Sequence, residues 1–314
     1  MVNYYEVKEY ENFGRCLAVT NGVIEAYVSI DVGPRILRFG FVGGQNMMQN
    51  EVDRATQWKG AEYDAYYGEG TVAYLYGGHR IWITPERAPE TYYPDNEPVE
   101  VTYTDNGVCF TPDVQRRNDI QLSLEVVMHP EKAEMQVFNR VKNMRDEARE
   151  FAVWTVSAMN LGGLEIIPHS TLNSGYLPNR VLSLWSYSKA NDPRFYNGER
   201  YMSFRQDPAA IGSAFKLGTN NVGGKVVYAL GDEVFRKEYA PHDPSKRYED
   251  GGVSFETYIS AGILEMEALG PVERVGAGET AELSEKWSLV KCDGTPDARD
   301  DESLDRFWNA VWQA

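Results

Sequence analysis

The chain is poor in the residues that build redox and metal chemistry. Its 314 residues hold three cysteines, Cys16, Cys109 and Cys292, odd in number, widely spaced and without a CxxC. A disulfide framework or a zinc site is not expected from such usage, and a reducing compartment fits it best. The four histidines, His79, His129, His169 and His242, form no HxH or HExxH pattern, so no metal is expected. No P-loop, no GxGxxG after a strand and no GxSxG turn occurs, and no cofactor is expected either. No run reaches the ~18 apolar residues of a membrane span, and the first ten residues, Met1 to Tyr10, contain no apolar stretch of the kind a secretion signal needs. The reading is a soluble cytoplasmic protein. Positive charge is scarce: 31 Lys and Arg stand against 47 Asp and Glu, a formal net charge of -16. Such a surface repels nucleic-acid phosphates and anionic lipid, so neither nucleic acid nor membrane is an expected partner. The composition fixes no oligomeric state.

Helix signals are also few. Only the C-terminus carries them clearly: Asp300, Asp301 and Glu302 precede Leu304, Phe307, Trp308 and Val311 at helical spacing. Strand and turn residues dominate instead, with 20 Tyr, 7 Trp, 28 Gly and 15 Pro. Residues 23–30 alternate, turn at Asp31-Val-Gly-Pro34 and continue as a second run over 35–42, a hairpin pattern. Residues 120–128 and 134–143 flank His129-Pro130-Glu131-Lys132 and read as another. Residues 43–70 have no clear period, and a loop of that length in a compact protein usually has work to do; residues 86–98, with three prolines, read as irregular. Many short strands, one terminal helix and no strand–helix alternation predict an all-β fold, a large antiparallel sandwich in a single domain spanning 1–314.

Two stretches carry chemistry. In the first, residues 74–86, counting in steps of two places Ala73, Leu75, Gly77, His79, Ile81 and Ile83 on one strand face and Tyr74, Tyr76, Gly78, Arg80 and Trp82 on the other. The second face is a row of aromatics around one guanidinium. Sugars bind to such surfaces, aromatic faces against C–H patches and a planar donor fork on hydroxyls; a half-exposed edge strand with tyrosines on the surface has the same pattern. In the second stretch, 253–260 and 262–269 form a tight hairpin that brings Glu256, Glu265 and Glu267 to one sheet surface. Clustered carboxylates raise one another's pKa, which suits acid–base work near neutral pH, although a solvated acidic face reads alike. Lys216 lies between apolar neighbours and points either into a cleft or into water. His79 counts onto the core face, but a bulge at Gly77-Gly78 would re-aim it.

The chain resembles the galactose mutarotase-like superfamily, the β-supersandwich of the aldose 1-epimerases. Gly77-Gly-His-Arg-Ile-Trp82 is similar to that family's Asn-Arg-Ile element, with Arg80 in place of the sugar-binding arginine. Residues 154–163, Trp-Thr-Val-Ser-Ala-Met-Asn-Leu-Gly-Gly, resemble its strand ending in Asn-Leu-x-Gly, and 263–271, Ile-Leu-Glu-Met-Glu-Ala-Leu-Gly-Pro, resemble the C-terminal strand that bears the catalytic base, which Glu265 matches. The likeness is nearest to relatives of the epimerases that carry Gly-Gly-His-Arg-x-Trp and Leu-Gly-Pro stretches. It implies a small-molecule carbohydrate as ligand and epimerase-like acid–base chemistry on a free sugar or sugar derivative, or sugar binding without turnover. It implies Glu265 as base and Arg80 on the sugar, and leaves the acid open to His79, His169 or a tyrosine; Trp82, Glu256, Glu267, Lys216 and Tyr76 are expected around the substrate. The sequence departs from the family where the epimerases carry a histidine before Asn-Leu, since residues 155–159 contain none, and no His-Gly-Gly follows the arginine motif.

Overall fold

The computed structural model describes residues 1–207, 209 and 214–313. Two ten-stranded antiparallel sheets are stacked face to face. The first runs, edge to edge, through strands Asn3–Val7, Cys16–Thr20, Ile24–Ser29, Ile36–Phe41, His79–Ile83, Val153–Met159, Leu264–Leu269, Phe255–Ile259, Phe215–Thr219 and Leu182–Leu184. The second has the long strands Ile120–Met128, Glu134–Asn143 and Thr280–Lys291 near one end and the Leu164–Pro168 and Lys225–Leu230 strands near the other. The expected hairpins form: Ile24 pairs with Phe41, Ile120 with Asn143, and Phe255 with Ala268. His129 closes its turn by accepting the Glu131 and Lys132 N–H groups at Nδ1.

Alternation explains which faces meet. The Ile120–Met128 strand is buried at every second residue, one face in and one out. The inward faces of both sheets interlock, with Phe39 edge-on to Trp287 at 5.3 Å and to Phe235 at 5.8 Å, and Tyr239 stacked on Phe255 at 5.9 Å. Polar groups also cross this interior. Lys237 and Glu285, both 0% exposed, form an ion pair at 3.2 Å; Lys237 Nζ donates to Ser157 Oγ at 2.8 Å, and Trp287 Nε1 donates to Glu285 at 2.6 Å. The Thr155 hydroxyl donates to the same carboxylate.

The C-terminal helix, Asp301–Gln313, covers the outer face of the second sheet. Asp300 caps it by accepting the Ser303 N–H at 3.0 Å. Leu304 and Val311 are buried against Leu164, Ile166, Val227 and Val234, with Phe307 and Trp308 beside them, the stripe that the spacing predicts.

Two readings are corrected. Residues 43–70 are not all loop: they contain the short strand Gln57–Trp58 and the helix Ala61–Tyr67. The strand expected through 74–83 is broken. Ala73–Tyr74 pairs with Gln57–Trp58, and the regular strand begins only at His79. Between them Tyr76, Gly77 and Gly78 have φ of 58°, 84° and 66°. A Cβ on Gly77 would sit 2.2 Å from the Gln49 carbonyl oxygen and one on Gly78 2.6 Å from that of Ile36, so close backbone approach requires glycine at both. The break removes the parity that linked Tyr74 and Tyr76 to Arg80 and Trp82.

Candidate active site

On the outer face of the first sheet, strand register assembles the site in rows. Val156 stands between Arg80 on one side and Glu267 on the other, and Glu267 is opposite Glu256. The next row runs from Ala158 to Glu265, Tyr258 and Lys216. The row on the other side holds Trp82, Trp154 and Leu269. Val156 and Ala158 are short, so the long Arg80 side chain crosses their strand and its guanidinium meets Glu265 Oε1 at 2.9 Å. A second Arg80 nitrogen donates to the Leu75 carbonyl at 3.0 Å, and the guanidinium lies over the Trp82 ring, 3.9 Å from its centre. One face of Trp82 is therefore taken by Arg80.

Lys216 is clamped by two carboxyls, Glu256 at 2.8 Å and Glu267 at 3.0 Å, with its ammonium 4.8 Å from the Trp154 ring centre. Trp154 Nε1 donates to Glu267 at 2.9 Å. A cavity of about 420 Å³ opens above these groups, lined at its floor by Arg80, Glu265, Glu267 and Lys216. Its walls are aromatic: Trp58, Trp82, Tyr92, Trp154, Tyr187 and Tyr258. Trp58 and Tyr92 stack in parallel, 4.3 Å apart. The two segments without strand periodicity, 43–70 and 86–98, each supply one of that pair. Volume and lining suit a small polar ligand with apolar faces.

The electrostatics divide the carboxyls. Burial raises the Glu265 pKa to about 7, against the pull of Arg80 and with a further push from Glu267. Burial also drives Glu256 well above the carboxylate range, although Lys216 opposes it. Lys216 loses hydration by burial, yet Glu267 and Glu256 together hold its pKa well above the usual value.

Of the residues read from the sequence, Arg80, Trp82, Lys216, Glu265 and Glu267 line this cavity, and Glu256 lines the space next to it. Three others lie elsewhere. His79 faces the inter-sheet core, with Nδ1 2.8 Å from Ser157 Oγ and Nε2 2.9 Å from Asn139 Oδ1, and it is 0% exposed. Burial lowers its pKa to about 4, so it is a neutral core imidazole; Gly77 and Gly78 make a turn and do not re-aim it. His169 follows the Leu164–Pro168 strand of the second sheet and bonds to the Gly198 carbonyl at 3.1 Å, near the start of the C-terminal helix. Tyr76 packs on Phe13 in a separate cluster with Cys16, Val32 and Leu37 and donates to Asn96 at 2.7 Å. Neither His169 nor Tyr76 lines the cavity.

Trp58, Tyr92, Trp154, Tyr187 and Tyr258 went unassigned in the sequence reading. For Trp154 a signal was present. Thr155 and Ser157 alternate with Trp154, Val156 and Ala158, and their hydroxyls serve the buried Glu285 and Lys237. The polar set thus faces the core, and the apolar set faces outward, where Trp154 lines the cavity. All seven residues of the Val153–Met159 strand are buried, which hides that inversion from a hydrophobicity pattern.

No family model matches the sequence, and no curated protein matches it. Solved structures do match. A candidate aldose 1-epimerase from Klebsiella pneumoniae superposes with a TM-score of 0.56 at 12% identity, over 99% of this chain and 87% of that one. The Slr1438 protein of Synechocystis gives 0.55 at 11% identity, over 91% and 95%. A galactose mutarotase-like protein from Clostridium acetobutylicum gives 0.50 at 13% identity, over 93% and 98%. Two stacked antiparallel sheets with a cleft on the outer face of one, a short C-terminal helix and these neighbours together identify the fold as the galactose mutarotase-like β-supersandwich.

Proposed function

We propose that the protein acts on a free sugar or sugar derivative by acid–base chemistry of the aldose 1-epimerase type, with Glu265 as the base. The observation that carries this reading is a nearly buried carboxyl at the floor of an aromatic cleft, bonded to Arg80 and poised at about 7. A base of that strength is half ionised near neutral pH, where it both removes and returns a proton efficiently. In this reading Arg80 orients the hydroxyl that Glu265 deprotonates, and Trp82 holds Arg80 in place. The proton available for the ring oxygen belongs to Tyr258, directly across from Glu265 in register, and burial opposes its ionisation. One observation favours a second reading, a sugar-binding protein without turnover: the cleft face of the Val153–Met159 strand offers Trp154, Val156 and Ala158 and no histidine.

The test is anomer exchange of free aldoses, followed by saturation-transfer NMR. Wild-type protein is expected to accelerate it, with kcat/KM falling as pH drops through about 7, because the working form of Glu265 is the ionised one. Binding of an aldose with no acceleration at any pH would leave only the binding reading. Arg80→Gln removes the strongest influence holding the Glu265 pKa down. The carboxyl midpoint, read by 13C NMR of labelled glutamate, is expected to rise by about 1–3 units. A midpoint that stays at or below its wild-type value would show that Arg80 does not set it.

A further inference from the structure

We infer that the cleft takes a neutral glycan of two or more sugar units, with the reacting unit over Glu265 and the next unit in an adjoining side chamber lined by Lys216, Trp185 and Asp250. The inference rests on the sugar-binding reading above and specifies the length of its ligand.

The chamber over Glu265 is not closed at its far wall. A second cavity of about 290 Å³ adjoins it and shares Glu86, Tyr92, Trp154 and Lys216 with it. Its own residues include Trp185, Asp250 and Glu256. Lys216 sits between two indoles, 4.8 Å from the centre of the Trp154 ring and 4.8 Å from that of Trp185, so an aromatic lines each side of the passage. Beyond Trp185 and Asp250 an open depression of about 330 Å³ continues over Ser183 and Leu184, on the edge strand of the sheet. The three spaces form one groove from the deep carboxyl to the sheet edge. A single sugar ring over Glu265 leaves the other two unoccupied.

The chemistry of the side chamber selects for neutral ligands. Lys216 is the one cation lining it among the described residues, and Glu256 and Glu267 already clamp its ammonium. Glu86 and Asp250 stand around it, so a phosphate, sulfate or uronate meets carboxylates and no free cation. Glu256 is 1% exposed, and its Oε1 has no hydrogen-bond partner although its Oε2 is held by Lys216. A buried polar oxygen without a partner is costly, and a ligand hydroxyl would satisfy it. Lys216 takes one side of the Trp185 ring, and the indole also borders the outer depression, where it offers apolar surface on which a pyranose ring packs.

Calorimetric titration separates the outcomes. The monosaccharide probes are glucose, galactose and mannose; the disaccharide probes are maltose, isomaltose, cellobiose, laminaribiose and lactose. At least one disaccharide is expected to bind wild-type protein tenfold or more tighter than either of its constituent monosaccharides. Trp185→Ala is expected to erase that ratio, and Trp185→Phe, which keeps an aromatic face, to retain most of it. Monosaccharides that bind as tightly as every disaccharide would overturn the two-unit proposal and leave the sugar-site reading intact, as would a ratio unmoved by Trp185→Ala. Absence of binding by sugars of either length would overturn both.

Discussion

Glu265→Gln is expected to slow anomer exchange by about 100- to 10,000-fold, the range for loss of a positioned general base, with sugar affinity nearly unchanged. The amide keeps the shape of the carboxyl, and its oxygen still accepts from Arg80, but it cannot take a proton at neutral pH. The pH dependence should vanish with the activity, because the group that titrates near 7 is gone. Affinity by calorimetry and rate by saturation transfer give the two readouts. A variant that binds the sugar and keeps more than about a tenth of the wild-type rate would remove Glu265 from the base role, since general-base loss falls well outside that margin. A variant that loses binding and rate together would assign Glu265 to substrate holding instead.

Glu265 could be read from the sequence because it lies in a short-range element. Only Ser260 to Ile263 separate the two strands, so alternation along one hairpin places Glu256, Glu265 and Glu267 on one face, where Glu256 stands opposite Glu267. Arg80 and Trp82 were legible for the same reason, within the His79–Ile83 strand. Counting failed where the chain stopped being a strand. Tyr76 lost its predicted face at Gly77 and Gly78, whose left-handed conformations answer to Gln49 and Ile36, far away in sequence. His79 kept the core face that strict counting assigned it, and the bulge invoked to turn it outward did not form. His169 follows a strand of the other sheet, and nothing local to Ile-Ile-Pro-His tells which sheet a strand joins. Tyr92 and Trp58 reach the cleft from segments without period, where pattern reading has no purchase. What the sequence conveyed, then, was the chemistry of individual strands; the walls came from tertiary pairing.

The same limit applied to the largest stability effect expected in the molecule. Lys237→Met should cost about 3–5 kcal/mol, the usual penalty for removing one partner of a buried ion pair. Within Glu233–Tyr239, reading Glu-Val-Phe-Arg-Lys-Glu-Tyr, no pattern singles out the lysine. Yet its ammonium is 0% exposed and meets Glu285 at 3.2 Å and Ser157 at 2.8 Å. Burial alone would push Glu285 up, but Lys237, His79, Thr155 and Trp287 outweigh it and hold its pKa below the usual value. Without Lys237 the balance reverses, and the Glu285 pKa in the folded state rises above its unfolded value. The folded state then binds the extra proton between those two values, so the deficit is greatest above the new folded pKa and shrinks as pH falls toward the unfolded one. Urea melts of Lys237→Met at pH 8 and pH 5 are expected to show this narrowing. Adding Glu285→Gln removes the stranded charge; its amide oxygen can accept from Trp287 while its NH2 donates to the Thr155 hydroxyl, which met the other carboxylate oxygen, and the change should restore at least half of the loss at pH 8. A single variant within about 1 kcal/mol of wild type, well short of the penalty for a stranded buried charge, would mean that Glu285 finds water or another donor. A double variant no better than the single would locate the loss in the packing of the lysine stem. The pair joins strands of the second sheet, while Ser157, on the strand behind Val156 and Ala158, belongs to the first. The interior charge thus anchors the strand that floors the cleft, which makes site geometry and core stability expectations about the same seven residues.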